Sequence, residues 1–262
     1  MNFRALKNNI IGSFQTTQGI GDAFKRLLWL YNLRPGTEQQ IAFQYPTPIG
    51  NINLTVRSNN GSDVFIVSEV FEELCYEVRT KKDIRYIIDL GANAGFTSIY
   101  FSKHFPNALI ACVEPMPNNV AILKRNLQSN KVNAIVKQAA ISVSDGVLQM
   151  DISANDYGHK VHGITFGKDV GAQTVGVDAV SINSLLKELQ WPQIDLLKID
   201  IEGYEGILFS SNTTWLNKTN TIVMEIHQGV SPNEINRILS AYSFNYMVQR
   251  KGNWIFSKHI IE

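Results

Sequence analysis

The sequence has few cysteines, almost no net charge and no repeated tract. Cys75 and Cys112 are the only cysteines among 262 residues, which is too few for a disulfide scaffold or a thiolate zinc site. Both lie in apolar runs, so we expect buried free thiols in a reducing compartment. Lys and Arg total 24 against 23 for Asp and Glu, a net charge of +1. That balance excludes a broad electrostatic grip on nucleic acid or anionic lipid.

Long apolar runs are also missing. No uncharged stretch approaches the roughly 18 residues of a membrane helix. Residues 1–20 contain Arg4 and Lys7 but only the apolar pair Ile10-Ile11, which is too short for the apolar region of a secretion signal. The expectation is a soluble cytoplasmic protein without a membrane partner, and the sequence does not indicate an oligomeric state.

The composition nevertheless supports a large core, because 44% of the residues are hydrophobic. In the region 83–262, apolar runs alternate with segments of helical spacing, and a hairpin pattern closes the chain. The runs are 84–90, 108–113, 134–141, 194–201 and 221–226. This alternation predicts an α/β fold of βαβ units, with a doubly wound, mostly parallel sheet and an antiparallel edge hairpin.

The first part of the chain lacks this rhythm and predicts a smaller α+β extension. Its expected elements are helices at 22–32 and 68–80, a hairpin of strands at 41–45 and 50–57, and a turn at 59–61. We therefore expect an N-terminal cap over residues 1–82 that packs on a core of residues 83–262.

The stretch 142–180 also interrupts the rhythm, with short polar pieces and several glycines. It contains His159 and His162 near Asp156, a combination that would suit a metal if a helix or strand fixed it. No such element is predicted there. We expect exposed loop histidines, in a connection long enough to cover a site.

The first strand of the core ends in Asp89-Leu-Gly-Ala-Asn-Ala-Gly95, and a helix follows. Gly91 permits a tight turn and a close approach of a ligand to the backbone, and Gly95 lets the helix pack closely on the sheet. The Gly-x-x-x-Gly spacing differs from the Gly-x-Gly-x-x-Gly of nicotinamide-binding folds. Taken alone, the loop is a weak signal for a bound nucleotide.

Acidic residues at the strand ends narrow the choice of cofactor. Glu114 ends the second strand, a position from which a carboxylate can accept both hydroxyls of an adenosine ribose. Asp89 would repel a pyrophosphate, whereas the ammonium and sulfonium of S-adenosylmethionine are cations. Asp200, Glu202 and Glu225 end later strands and extend this negative edge. The edge therefore favours S-adenosylmethionine over NAD.

The order and spacing of these segments resemble the FkbM-type class I methyltransferases over roughly residues 60–230. The segments are Asp89 to Phe96, Val113-Glu114-Pro115, Ala139-Ala140-Ile141-Ser142 and Leu196-Leu-Lys-Ile-Asp-Ile-Glu-Gly-Tyr-Glu205. The resemblance implies a seven-stranded Rossmann-like sheet, S-adenosylmethionine as cofactor and methylation of a hydroxyl on a sugar, glycan or natural product. By position, it implies a methionine end lined by Asp89, Gly91, Asn93 and Gly95, a ribose held by Glu114 and an adenine near Ala140.

Two pairs of polar residues are the candidates for catalysis. Asp200 and Glu202 lie two apart at one strand end, and Glu225 and His227 lie two apart at the next, so each pair shares a face. An alcohol is a weak nucleophile that usually needs a base or a metal. His227 titrates near neutrality and is the candidate base, while Asp200 would border the methyl end of the cofactor. Mg²⁺ or Mn²⁺ held by Asp200, Glu225 and His227 is the alternative, but no metal is expected.

Two other functions stay open. A nucleic-acid methyltransferase is disfavoured, because methylation of base amino groups commonly uses an Asn/Asp-Pro-Pro-aromatic tetrapeptide where this chain has Asp200-Ile-Glu-Gly, and no basic and aromatic patch stands out. A non-catalytic module that binds an adenosyl ligand would not need Asp200 and His227. The prediction is an S-adenosylmethionine-dependent O-methyltransferase whose partner is a small molecule or glycan with a free hydroxyl, not a nucleic acid.

Overall fold

The structure is a computed structural model that describes residues 21, 40–47, 49–57, 62–152, 159–162 and 173–261. The helix predicted at 22–32 and the turn predicted at 59–61 lie outside the described residues, as does Asp156. The strands are β1 (Gln40–Thr47), β2 (Gly50–Arg57), β3 (Tyr86–Leu90), β4 (Leu109–Val113), β5 (Ala134–Lys137), β6 (Ala140–Ser142), β7 (Gly146–Asp151), β8 (Lys160–Val161), β9 (Thr174–Ser181), β10 (Ile194–Ile199), β11 (Thr219–Met224), β12 (Tyr246–Arg250) and β13 (Asn253–Ser257).

The helices alternate with these strands along the chain. They are α1 (Ser62–Val67), a π-helical segment (Ser68–Glu72), α2 (Phe96–His104), α3 (Pro117–Ser129), α4 (Ile182–Leu189), α5 (Glu205–Leu208), a 3₁₀ segment (Thr213–Lys218) and α6 (Pro232–Ser240). Serines begin two of them: Ser181 accepts a hydrogen bond from the Ser184 amide and Ser231 from the Glu234 amide, which satisfies amides that a helix start leaves unpaired.

A seven-stranded sheet forms the centre, in the order β12-β13-β11-β10-β3-β4-β5. Its neighbouring strands are parallel, except that β13 runs antiparallel to both β11 and β12. Successive side chains of β3 face opposite sides: Ile87 packs with Phe96 and Leu123 of α2 and α3, and Ile88 packs with the cluster that includes α4 and α6. The predicted doubly wound α/β fold with an antiparallel edge hairpin is confirmed.

A second, four-stranded sheet has the order β6-β9-β7-β8. Sequence analysis predicted one strand over 134–141 and no strands over 142–180, and both expectations are wrong. The apolar run breaks after Lys137, where the chain leaves the central sheet, and β6 then pairs in parallel with β9. The polar pair Lys137-Gln138 marks this break in the sequence, but two polar residues within an apolar run do not by themselves show that the chain changes sheets.

The N-terminal hairpin of β1 and β2 packs on α3 through side-chain amides. Asn126 accepts a hydrogen bond from the Thr55 amide at 2.7 Å and donates to the Thr55 carbonyl at 3.0 Å. Asn130 repeats this pattern at Asn53. One buried cluster takes in residues of both the hairpin and the sheet, and the division at residue 82 stays a prediction.

The helix predicted at 68–80 is shifted towards the N-terminus. It begins at Ser62 as α1, continues as the π-helical segment and ends at Glu72. Leu74 has a left-handed φ of 57°, which ends the helical path before the apolar residues that follow. Cys75 and Cys112 are buried free thiols, as predicted. Within the described ranges, no helix is both long and apolar enough to span a bilayer.

Candidate active site

The carboxyl ends of the parallel strands meet at one edge of the sheet. Backbone hydrogen bonds also join the residues that immediately follow these strands. The amide of Gly91 bonds to the Val113 carbonyl at 3.0 Å, that of Asp200 to the Leu90 carbonyl at 3.2 Å and that of Glu225 to the Ile199 carbonyl at 3.0 Å. The residues just after β3, β10 and β11 are therefore fixed side by side, as the sequence pattern predicted for this edge.

A cleft opens at this edge and encloses about 640 Å³, including the part open to solvent. Its lining includes five of the predicted site residues: Gly91, Asn93, Glu114, Ala140 and Asp200. The remaining lining residues are Val113, Pro115, Asn119, Ala139, Ile141, Met150, His159, Val161, Ile201, Glu202 and Tyr204.

Asp89 and Gly95 do not line this cleft. Asp89 is completely buried, and its Oδ2 accepts a hydrogen bond from Ser98 at 2.6 Å. Gly95 begins α2 with φ of 85°, and a Cβ there would lie 2.5 Å from Leu123 Cδ1. Both residues hold the turn and the helix in place, and their predicted contact with the methionine end stays a prediction.

Gly91 is where two backbone segments come closest. Its φ is 74°, and a Cβ there would lie 1.9 Å from the Asp200 carbonyl oxygen. Only a residue without a Cβ can occupy this position without moving the backbone. The turn after β3 and the loop after β10 are thereby held in direct contact.

Lys198 has a role that sequence reasoning missed. Its ammonium lies 3.1 Å from Asp89 Oδ1 and 3.5 Å from Asp200 Oδ2, and it donates to the Gly91 carbonyl at 2.8 Å. Burial lowers the pKa of Lys198, but the two carboxylates outweigh burial and raise it. The available signal was its position two residues before Asp200, which places both side chains on one face of β10.

Tyr76, which follows the π-helical segment, also reaches the site. Its hydroxyl donates to Asp200 Oδ2 at 3.0 Å. Burial raises the pKa of this tyrosine well above its ordinary value, and the charge of Asp200 adds to the effect. Asp200 thus has one carboxylate oxygen oriented by Tyr76 and Lys198, while the residue itself lines the cleft.

Glu114 sits at the other end of the cleft and is 4% exposed. Its Oε1 accepts from the Met116 amide and from Asn119 Nδ2, each at 3.0 Å, and its Oε2 accepts from the Asn93 amide at 2.9 Å. Burial raises the pKa of Glu114, while these hydrogen bonds act in the opposite direction. Because a carboxylate has about four lone-pair positions, one on Oε2 is left for a ligand hydroxyl.

Arg57 supports this carboxylate from the N-terminal hairpin. Its guanidinium forms a buried ion pair with Asp63 at 2.6 Å. The same group donates to Asn119 Oδ1 at 2.5 Å and to Asn93 Oδ1 at 2.9 Å, which are the residues that hold Glu114. Sequence reasoning missed this contact, because nothing in the order of residues places β2 beside the turn after β3.

Arg57→Lys is expected to lower the free energy of unfolding by about 1–3 kcal/mol, because a lysine cannot reach three acceptors at once. Thermal unfolding followed by circular dichroism measures the effect. Arg85→Lys is the matched control, since Arg85 pairs with Asp83 on the surface with both side chains more than half exposed. Equal melting temperatures for the two variants would contradict the supporting role of Arg57.

His227 lies among carboxylates next to the cleft. Its Nδ1 is 2.9 Å from Glu205 Oε1, and its Nε2 is 3.4 Å from Glu202 Oε2 and 3.8 Å from Glu225 Oε1. Burial acts to lower the pKa of His227, but the hydrogen bonds to Glu202 and Glu205 outweigh it and raise the pKa to about 11. An imidazole with this pKa is protonated at neutral pH, so this arrangement does not supply the neutral base that was expected of His227.

The N-terminal extension contributes one more acid to this region. Burial raises the pKa of Glu69, in the π-helical segment, to about 7, and the charges of Glu225 and Asp200 add to the effect. Burial and Asp200 likewise raise the pKa of Glu225. The mutual repulsion of these groups reflects how much negative charge the strand ends carry.

The second sheet forms one wall of the cleft, a role that the sequence indicated only as a covering loop. Ala140, Ile141 and Met150 belong to this sheet, and His159 precedes β8. His162 instead pairs with Asp151 at 2.7 Å. In the part of the chain that the structure describes, the two histidines do not form a metal-binding group.

Comparisons with known proteins agree with this arrangement. The family model of the methyltransferase FkbM domain matches residues 89–246. This range covers the turn after β3, the three acids that line the cleft and the cluster around His227. A methyltransferase of Sordaria araneosa, sdnD, is 31% identical, in a match that covers 54% of this chain and 65% of that protein. The hexuronic acid methyltransferase AglP of Haloferax volcanii is 27% identical, over 58% of this chain and 60% of that protein.

The chain spans less than two thirds of the length of the curated relatives it matches. Among solved structures, a methyltransferase FkbM of Methylobacillus flagellatus is 12% identical with a TM-score of 0.47, covering 66% of this chain and 44% of that one. The family model matches more than half of this chain, and the central sheet has the seven strands that the sequence resemblance implied. The chain belongs to the FkbM methyltransferase family.

Proposed function

We propose that the protein transfers the methyl group of S-adenosylmethionine to a hydroxyl of a sugar, glycan or natural-product acceptor. The observation that carries this proposal is one cleft lined both by Glu114 after β4 and by Asp200 after β10. Glu114 is placed to bind a ribose. Asp200 lies at the strand end next to the other acids of this edge, Glu202 and Glu225. A cationic cofactor between them would meet a complementary field.

The residues of the cleft fit this cofactor. Glu114 has a lone-pair position left for a ribose hydroxyl, and its other contacts fix its orientation. Gly91 and Asn93 place the turn after β3 on the wall of the same cleft. Ala140, Ile141 and Met150 offer an apolar wall for a purine base.

When bound, S-adenosylmethionine supplies a methyl carbon on a sulfonium, which an acceptor oxygen takes with loss of its proton while the neutral thioether departs. The chain's own contribution is alignment. Asp200 is oriented by Tyr76 and Lys198 and is 24% exposed, so it can accept the hydrogen bond of an acceptor hydroxyl. His227 faces the acceptor beside Glu202, and in the metal-free site it does so as a cation.

The charge of the edge favours a neutral acceptor group. Asp200, Glu202 and Glu225 would repel a carboxylate, whereas a hydroxyl can donate to them. The likeness to a relative named for hexuronic acid supports a sugar as acceptor. The negative charge of the edge and the likeness to this relative together favour a methyl ether on a sugar over a methyl ester.

Transfer of a labelled methyl group tests the proposal. The protein is incubated with labelled S-adenosylmethionine and a panel of neutral glycosides, uronic acids, hydroxylated metabolites and an RNA oligonucleotide. We expect label in an alkali-stable glycoside product. An alkali-labile product would identify an ester instead, and label in the RNA would favour the nucleic-acid alternative. Tight binding of the cofactor without any turnover would favour a non-catalytic module.

Glu114→Ala is expected to weaken binding of the demethylated cofactor, S-adenosylhomocysteine, by about 1.5–3 kcal/mol, because hydrogen bonds to a charged group are lost. Glu114→Gln should retain part of the affinity, since an amide oxygen can still accept. Isothermal titration measures both, with the exposed Glu188→Gln as a control for a lost surface carboxylate. Wild-type affinity in Glu114→Ala would show that the ribose is held elsewhere.

A further inference from the structure

The ends of β10 and β11 bring an imidazole and several carboxylates together beside the cleft. Asp200, Glu202 and His227 each offer one ligand atom, and these atoms all lie within 4.8 Å of one another. Their side chains are 24%, 26% and 20% exposed. The group is therefore open to small ions but largely surrounded by protein.

The spacing of these atoms resembles that of ligands around one ion. Ligands about 2.1 Å from an octahedral cation are about 3 Å apart when adjacent and about 4.2 Å apart when opposite. His227 Nε2 lies 3.4 Å from Glu202 Oε2 and 3.8 Å from Glu225 Oε1. Small side-chain movements would bring these atoms to coordination distances.

Glu205 provides an observation from outside the cluster. Its side chain is 0% exposed, and its Oε1 contacts His227 Nδ1 at 2.9 Å. Its Oε2 is buried without a hydrogen-bond partner among the described residues. A carboxylate that holds one imidazole nitrogen and leaves the other free is the usual support of a metal-binding histidine. Here the second nitrogen, Nε2, lies 3.4 Å from Glu202 Oε2 and faces Glu225.

The carboxylates around His227 also outnumber the cations there, so a metal ion would balance their negative charge. Asp200 has Lys198 as its cation, but Glu202, Glu205 and Glu225 share His227. A buried carboxylate oxygen without a partner is costly, and a positive ion nearby would offset that cost. Carboxylate oxygens with one imidazole suit Mn²⁺ and Mg²⁺, which prefer oxygen-rich sites.

We propose that Asp200, Glu202 and His227 bind one divalent cation of the Mn²⁺ or Mg²⁺ class, with Glu205 as the positioning residue of His227. The sequence expectation was no metal, and its alternative site used Glu225 in place of Glu202. A cation at this place would take the acceptor oxygen as a further ligand and ease the loss of its proton, a role that rests on the proposed O-methyl transfer. The binding of the ion itself does not depend on that function.

Direct titration with Mn²⁺ tests the site. The full chain, freed of metal with EDTA, desalted and saturated with S-adenosylhomocysteine, is titrated while free Mn²⁺ is followed by electron paramagnetic resonance. We expect one Mn²⁺ per chain. Glu202→Gln and His227→Gln should each weaken it at least tenfold, and Glu205→Gln by about 10–100-fold, as is typical when a residue behind a metal ligand is lost. Glu188→Gln, an exposed acid that pairs with Lys137, should leave the affinity unchanged.

Failure of the site and failure of the proposed function give different results. A thermal unfolding transition like that of the wild type shows that Glu202→Gln is folded. No Mn²⁺ binding by the wild type, or equal binding by Glu202→Gln and Glu188→Gln, would overturn the metal site. Methyl transfer to a hydroxyl that persists in EDTA would overturn the role of the ion at the acceptor oxygen but not its binding. Mn²⁺ binding with the expected pattern of variants, but no methylated hydroxyl, would leave the metal site standing and remove the proposed function.

Discussion

Replacing Lys198 by methionine is expected to lower the free energy of unfolding by about 3–5 kcal/mol, because it leaves a buried carboxylate without its cation. Lys198 and Asp89 have side chains that are 2% and 0% exposed. Methionine has a similar length, but it supplies neither the charge nor the donors that reach the carbonyls of Leu90 and Gly91. Urea unfolding followed by circular dichroism measures the loss.

Two controls separate the buried charge from the change of side chain. Lys187→Met alters an exposed lysine of α4 and should have a far smaller effect. Adding Asp89→Asn to Lys198→Met should recover part of the lost stability, because the orphaned charge is removed. If Lys198→Met and Lys187→Met unfold at the same urea concentration, the buried pair makes no net contribution to stability.

Gly91→Ala is expected to lower the free energy of unfolding by about 2–5 kcal/mol and to abolish cofactor binding. An alanine with a left-handed φ costs about 1–2 kcal/mol, and forced overpacking adds about 1–3 kcal/mol. The atom that the new methyl meets is the Asp200 carbonyl oxygen, at 1.9 Å. Since that oxygen belongs to the backbone, the loop carrying Asp200 has to move.

Gly252→Ala is the matched control for this change. Gly252 has φ of 93°, and a Cβ there would meet no atom within 4 Å. It should therefore show the conformational cost of about 1–2 kcal/mol alone and retain full affinity for S-adenosylhomocysteine. The same loss of stability in both variants would mean that the contact between the two backbone segments is not tightly packed.

The central sheet was predictable because its strands are buried on both faces. Continuous apolar runs such as those of β3 and β10 are typical of strands in a parallel sheet, and the helices between them show clear helical spacing. The second sheet was not predictable in the same way. Its strands β7 and β9 are half exposed, so their polar positions resemble those of a loop.

The cleft acids were predictable from their places at strand ends, and the residues that hold them were not. Glu114 and Asp200 follow apolar runs, which is a local signal in the sequence. Tyr76 reaches Asp200 from the N-terminal extension, and Arg57 reaches Asn119, which in turn holds Glu114. These contacts depend on how the extension packs on the central sheet. The pKa of His227 could not be foreseen either, because it depends on contacts with Glu202 and Glu205, which come from a different strand end.

The two cysteines give this chain a built-in pair of probes for opening motions. Burial raises the pKa of Cys75 to about 11 and that of Cys112 to about 12, so at neutral pH neither is an effective nucleophile while the protein stays closed. Cys75 lies just past the π-helical segment, with its carbonyl held by Asn253, whereas Cys112 lies within β4 beside Asp89. A thiol reagent therefore reaches the first thiol when the extension lifts away and the second only when the central sheet opens. The ratio of the two alkylation rates therefore distinguishes local opening of the N-terminal extension from global unfolding, without any introduced label.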